Sequence, residues 1–240
     1  MLSFPRVLGW AVLPALMLVG CAGSGPPKMD LMPAAAEAVA AVAAVAPPDP
    51  AAGAIYRIDP AAGSARILVF RSGTAARFGH NHVLAVADMS GYVQVPQGKA
   101  EEGRFALSFR LDKLRIDPAA LRQALGAPWA SEVSADAAEG TRTNMLRSLE
   151  AEEFPEVRIR SLRLAGAAPK LAAQVEVELH GQRRAIWLPL EVDVSEGQVR
   201  TAGALVIRQS EFGIQPFTVL GGLLSVQDEL VVEFDLRAVR

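Results

Sequence analysis

From Tyr56 onward the chain is dominated by stretches in which apolar and polar residues alternate. Phe105, Leu107, Phe109 and Leu111 alternate with Ala106, Ser108, Arg110 and Asp112. Successive side chains of an extended strand face opposite sides, so this period marks a half-buried strand. Ile186, Leu188, Leu190, Val192 and Val194 repeat the pattern, and so do Leu230, Val232, Phe234, Leu236 and Ala238. Further strands are expected at Ala54 to Asp59, Ser64 to Arg71, Leu84 to Val95, Val157 to Leu164, Leu171 to Leu179 and Thr201 to Ile207. Ser64 to Arg71 is apolar on both faces in its middle, and Gly91 reads as a bend. Pro96-Gln97-Gly98 and His180-Gly181-Gln182 read as tight turns, the second as a hairpin. Glu211-Phe212-Gly213-Ile214 breaks a strand, and the glycine-rich loop Leu220-Gly221-Gly222-Leu223 follows. One block departs from the period of two. Pro118 to Leu125 predicts a short helix and Ser134 to Leu149 a longer one, with Ala137, Ala138, Met145, Leu146 and Leu149 as its apolar side. The sum is an all-β domain: an antiparallel β-barrel of about eight strands with a helical insertion, a size that can hold one small ligand.

The N-terminus changes this picture. Arg6 followed by the apolar run Val7 to Met17 has the form of an export signal, and the run is too short to span a bilayer comfortably. It ends in Leu18-Val19-Gly20-Cys21, which resembles a lipobox. That resemblance implies a signal peptide over residues 1–20, cleavage before Cys21 and lipidation of Cys21, the chain's single cysteine. Ala22 after it implies the outer membrane, facing the periplasm of the cell envelope, where the host has one. Residues 21–54 are rich in Ala, Pro and Gly and read as a tether spanning on the order of 30 Å. The domain therefore occupies residues 55–240. A formal charge of -2 argues against nucleic acid as the main partner, since phosphate binding needs a basic footprint.

Candidate chemistry is sparse. Arg77-Phe78-Gly79-His80-Asn81-His82 holds two of the three histidines. On a strand His80 and His82 would share a face, where they could meet a polar headgroup, bind a metal or move protons. A cupin-type metal motif would need a Glu soon after the second His, and residues 85–88 are Ala, Val, Ala and Asp. No metal site and no catalytic residue is expected, nor any phosphate-loop or nucleophile-elbow spacing.

The order of several short motifs resembles the YceI-like family. Tyr56-Arg57-Ile58-Asp59 with Ser64-Ala65-Arg66-Ile67 is similar to its opening strand pair, and Met89-Ser90-Gly91-Tyr92 to a following strand. Met145 to Pro155, Leu179-His180-Gly181-Gln182-Arg183-Arg184 and Ile207-Arg208-Gln209-Ser210-Glu211-Phe212-Gly213-Ile214 resemble its helix end, hairpin and closing element. The resemblance implies a lipocalin-like barrel with an apolar tunnel, no cofactor, and an isoprenoid-type lipid ligand of the quinone or polyprenyl phosphate class. Phe70, Phe105, Phe109 and Leu146, with Phe154, Phe212 and Phe217, are the expected lining. Phe78, His80 and His82 are the expected mouth, and Arg208 or Arg77 could pair with a phosphate. Two alternatives stand beside this reading: a metal carrier or metal-dependent enzyme using the His-x-His pair, and a structural envelope protein presenting its helical insertion to a partner protein.

Overall fold

The computed structural model describes residues 48–240. The signal peptide, Cys21 and most of the tether lie outside the described residues. In chain order the elements are β1 (Ala54–Ile58), β2 (Ser64–Ser72), β3 (His82–Ala85), β4 (Met89–Val95), β5 (Arg104–Arg110) and β6 (Arg115–Ile116). Two helices follow, α1 (Ala119–Ala124) and α2 (Ala135–Ser148). Then come β7 (Glu156–Ala167), β8 (Lys170–Leu179), β9 (Gln182–Ser195), β10 (Gln198–Arg208), β11 (Thr218–Val219) and β12 (Leu224–Val239).

Eight of these strands form a closed antiparallel ring in the order β1-β4-β5-β7-β8-β9-β10-β12. Closure comes from β1 pairing with β12 at Arg57 with Val239 and Ile58 with Ala238. A closed ring leaves no unpaired edge around the barrel. The long β12 also carries a side branch, β2-β3-β6.

The registers define two ends. At one, which we call the hairpin end, Ala167 meets Lys170, Ser195 meets Gln198 and Gln94 meets Arg104. At the other, the insertion end, Leu179 meets Gln182, Arg110 meets Glu156, Arg208 meets Glu229 and Ser72 meets Ser225.

Local sequence explains the main elements. Ser134 caps α2, its hydroxyl accepting from the Ala137 amide at 3.2 Å. His180 and Gly181, both left-handed at φ 53° and 67°, form the two-residue turn joining β8 to β9, the backbone that suits the twist of a hairpin. Gly91 is required by a close approach: a Cβ there would stand 2.1 Å from the Ala106 carbonyl oxygen. β2 is apolar on both faces because both are covered. Ala65, Ile67 and Val69 face the barrel interior, while Phe70 on the opposite face packs edge-on against Trp129, ring centres 5.9 Å apart.

Two sequence expectations need correction. Leu84 to Val95 is not one strand. It breaks between Ala85 and Met89, so β3 joins the side branch and β4 the ring. Of the apolar side expected for α2, Met145 and Leu149 line the cavity and Leu146 packs against the core, but Ala137 is exposed; Thr141, Asn144 and Ser148 complete the inward stripe. The helix caps an open barrel end rather than packing into a solid core, so its inward face can be half polar.

Candidate functional site

Inside the ring runs a cavity of about 300 Å³ with an overwhelmingly apolar wall. The wall begins at the hairpin end with Val95, Ala100 and Arg104, and ends beneath α2 with Thr141, Met145 and Phe217. On β8 it includes Leu171, Val175, Val177 and Leu179. Eight residue steps at roughly 3.3 Å, on strands tilted about 40°, give a length of about 20 Å. So little volume over that length means a narrow channel, which suits a chain better than a fused ring system.

Polar groups gather at the insertion end. His82 is on the cavity wall, at the start of β3. Its Nδ1 lies 2.6 Å from Oδ2 of Asp117. Asp117 directly follows β6 and has a left-handed backbone, φ 49°. It brackets Val83: the Asp117 amide donates to the Val83 carbonyl at 2.9 Å, and the Val83 amide donates to Asp117 Oδ1 at 3.0 Å. Arg122, on α1 and only 3% exposed, donates to the same Oδ1 at 2.6 Å. Its remaining donors reach the Asn81 carbonyl at 2.7 Å, the Ser131 carbonyl at 3.1 Å and the Ser131 hydroxyl at 3.0 Å. Burial works to raise the Asp117 carboxyl, but hydrogen bonds from His82, Val83 and Arg122 outweigh it and hold the group below its ordinary value. Asp117 is therefore ionised at neutral pH and takes a proton donor from His82 at Nδ1. That leaves Nε2 as an acceptor on the neutral ring, or a second donor on the charged one.

The sequence-derived site residues divide in two. His82, Phe105, Phe109 and Phe217 are on the cavity wall. The other six are not, and each has a physical reason. Phe70 is on the outer face of β2 by the strand period. Phe78 is 71% exposed on a loop tip, with the Arg77 guanidinium 4.6 Å from its ring centre. His80 precedes the strand and is off the wall, its Nδ1 3.3 Å from the Ser131 hydroxyl, although its ring lies edge-on to that of His82, centres 6.5 Å apart. Leu146 packs beside the core, off the wall. Phe154 stacks edge-on with His180 at 5.1 Å. Phe212 is fully buried in a short turn, and its carbonyl lies 3.0 Å from His180 Nδ1. Arg208 is engaged with Glu211 and Glu229.

The histidines do not assemble a metal site: among the described residues no three His, Cys, Asp or Glu side chains gather as a metal-binding group. His180 sits apart from the pair, 3.0 Å from Glu150. Sequence reasoning missed Asp117 and Arg122. The five-residue spacing carries no recognisable signal, and Asp117 meets His82 only through the pairing of β3 with β6. The inward polar side of α2 was findable, because Thr141, Asn144, Met145, Ser148 and Leu149 follow the helical period.

A family model described as a YceI-like domain matches residues 56–238. Among solved structures, Burkholderia cenocepacia BcnA superposes with a TM-score of 0.56 at 16% identity, covering 76% of this chain and 99% of its own. A polyisoprenoid-binding domain from Saccharophagus degradans, implicated in plant cell wall breakdown, gives 0.51 at 13% identity, covering 77% of this chain and 97% of its own. At these identities the likeness is one of fold. No curated protein matches the chain.

Proposed function

Because this chain belongs to the YceI-like domain family, we propose that its barrel binds one apolar chain of isoprenoid type and acts as a binding protein, not a catalyst. The observation that carries this reading is the cavity itself: narrow, apolar and continuous from Arg104 to α2. A structurally similar domain is described as polyisoprenoid binding. Burial of apolar area supplies the affinity, at roughly 25 cal/mol per Å² removed from water. The polar groups then orient the ligand. The headgroup, a quinone or a polyprenyl phosphate, sits at the insertion end. His82 Nε2 is offered to it there, and Thr141, Asn144 and Ser148 of α2 are also on the wall at that end. Arg122 is not offered, because Asp117, Asn81 and Ser131 take up its donors.

The reading extends to location. Lipidation of Cys21 would tether the domain to the outer membrane facing the periplasm, with the barrel within reach of membrane lipids. Its support is the sequence Leu18-Val19-Gly20-Cys21 alone.

Native mass spectrometry of the detergent-free protein tests the ligand. We expect bound species that differ by whole isoprene units. Val175 sits midway along β8 on the cavity wall. Val175→Trp should fill the channel and abolish the bound species while far-ultraviolet circular dichroism keeps its β signature. Retention of the ligand by that folded variant would sink the reading.

A further inference from the structure

The glycine-rich loop and the Arg77-Phe78 turn were left unexplained by the ligand site. In the structure they come together. Ala75 donates its amide to the Leu223 carbonyl at 2.8 Å. Gly73 lies against the same carbonyl, where an added Cβ would stand 2.4 Å away, and Gly79 lies against the Leu224 side chain. The two loops thus form one projecting unit at the insertion end, next to β2 and β12.

That unit displays large apolar side chains to solvent. Phe78 is 71% exposed, Leu220 70% and Leu223 52%. Leu220, Gly221 and Gly222 are all left-handed, at φ 53°, 64° and 90°. Non-glycine residues rarely adopt that backbone. Here it projects a leucine outward, and around the two glycines nothing lies within 4 Å of an added Cβ. Segments 71–82 and 214–227 contain Arg71 and Arg77 and no acidic residue; the nearest carboxylates are Asp228, which accepts from Ser210, and Glu132, next to the Ser131 that meets His80. The connections at the hairpin end instead expose Lys99, Glu101, Glu102, Lys170 and Glu196. The acidic Glu152 and Glu153 precede β7, which stands across the ring from β12.

We propose that Phe78, Leu220 and Leu223, with Arg77 beside them, form a lip that docks on an anionic phospholipid bilayer. Clustered apolar tips with a cation beside them fit the boundary between headgroups and acyl chains. Arg77 over the Phe78 ring places a guanidinium at phosphate level while the ring enters the apolar layer. The lip is continuous with the cavity: Val69, Phe217 and Val226, on the stems of the same loops, are wall residues. An apolar chain can therefore pass from bilayer to barrel without crossing water, a consequence that rests on the ligand reading above. The docking itself does not.

Hydrogen exchange of the full chain, with and without phosphatidylethanolamine–phosphatidylglycerol vesicles, tests it. Vesicles should protect residues 73–80 and 217–224 and leave 196–198 unchanged. Because protection is read segment by segment, a lipid anchor elsewhere in the chain does not mimic it. The double variant Phe78→Ser, Leu220→Ser should lose that protection. It should also take up a prenylated quinone from vesicles at least about tenfold more slowly, since burying one such side chain is worth more than a decade in binding. Its final quinone content, with ligand delivered from ethanol, should match the parent. An unprotected lip, or uptake at the parental rate, overturns the proposal. So does a lip already protected without vesicles in a particle of twice the mass, which would make it a contact between two copies. If vesicles protect the lip but neither protein takes up quinone by any route, docking stands and the ligand reading falls.

Discussion

The two ends of the barrel solve different problems. At the hairpin end no connection exceeds eight residues: Ala168 and Pro169 separate β7 from β8, Glu196 and Gly197 separate β9 from β10, residues 59–63 separate β1 from β2, and 96–103 separate β4 from β5. Beyond the backbone ladders, the ion pairs there, Lys170 with Glu191 and Arg200 with Asp235, are exposed. Among the described residues, the large polar side chain fully buried at this end, Gln94, is neutral. It donates to the Asp49 and Gly53 carbonyls and accepts from Arg104 Nε at 2.7 Å. At the insertion end, residues 111–155 separate β5 from β7, and 209–223 separate β10 from β12. These long segments must supply their own hydrogen bonds, and they do so with an ion network. Arg142 on α2 donates to the Asp112 and Leu114 carbonyls at 3.0 and 2.8 Å, and His180 ties Glu150 to the turn at Phe212. The contrast teaches where this fold keeps its freedom. Short connections leave little room to vary, whereas long ones on a rigid ring can carry polar groups and exposed tips.

Removing one charge from the insertion end should have the largest effect. Asp117→Asn keeps the shape but strands Arg122, so we expect a loss of about 3–5 kcal/mol in denaturant unfolding, the usual result of breaking one partner from a buried pair. Hydrogen exchange in that variant should quicken in α1 and β3 while β7 to β10 stay protected. Equal loosening of both ends would show that the network holds the whole barrel. Gln94→Ala is the counterpart at the other end. It removes a neutral amide and leaves its partners unpaired, so about 1–3 kcal/mol is expected. A cost as large as that of Asp117→Asn would erase the distinction between the ends.

Acid gives the gentlest test. The Asp117 carboxyl is held below its ordinary value when folded. Its contribution is therefore complete above the ordinary carboxylate range and fades as pH falls through that range toward the lower folded value. Asp228, which accepts from the Ser210 hydroxyl and amide at the same end, is depressed in the same direction. At the hairpin end Gln94 has no proton to gain; Glu191 beside Lys170 and Asp235 beside Arg200 are depressed too, but these are solvent-exposed pairs and contribute little. Exchange measured from neutral pH down through the carboxylate range should show the insertion end opening first; simultaneous opening would place the acid-sensitive groups elsewhere.

Much of the architecture was legible because alternation is a local property. The inward residues of β5, β9 and β12 follow directly from a period of two, Ser134 announces the start of α2, and His180-Gly181 announces a hairpin. The site was less legible. Aromatic residues chosen by type scattered over three environments: Phe105, Phe109 and Phe217 on the wall, Phe154 and Phe212 beneath the rim, Phe78 in solvent. Residue type records a wish for burial and not which surface does the burying. For β2 the period of two was readable, but that Phe70 faces Trp129 depends on the insertion folding back across it.

What the sequence determined by itself is the barrel, since strand period, turn chemistry and one capped helix all act over a few residues. The polar apparatus around the cavity depends instead on how distant segments meet in the fold. Asp117 and His82 are 35 residues apart and are joined by the pairing of β3 with β6. Arg122 finds its place by burial against both. Such contacts arise from how the chain closes on itself, and closure leaves no periodic trace in the residues that take part in it.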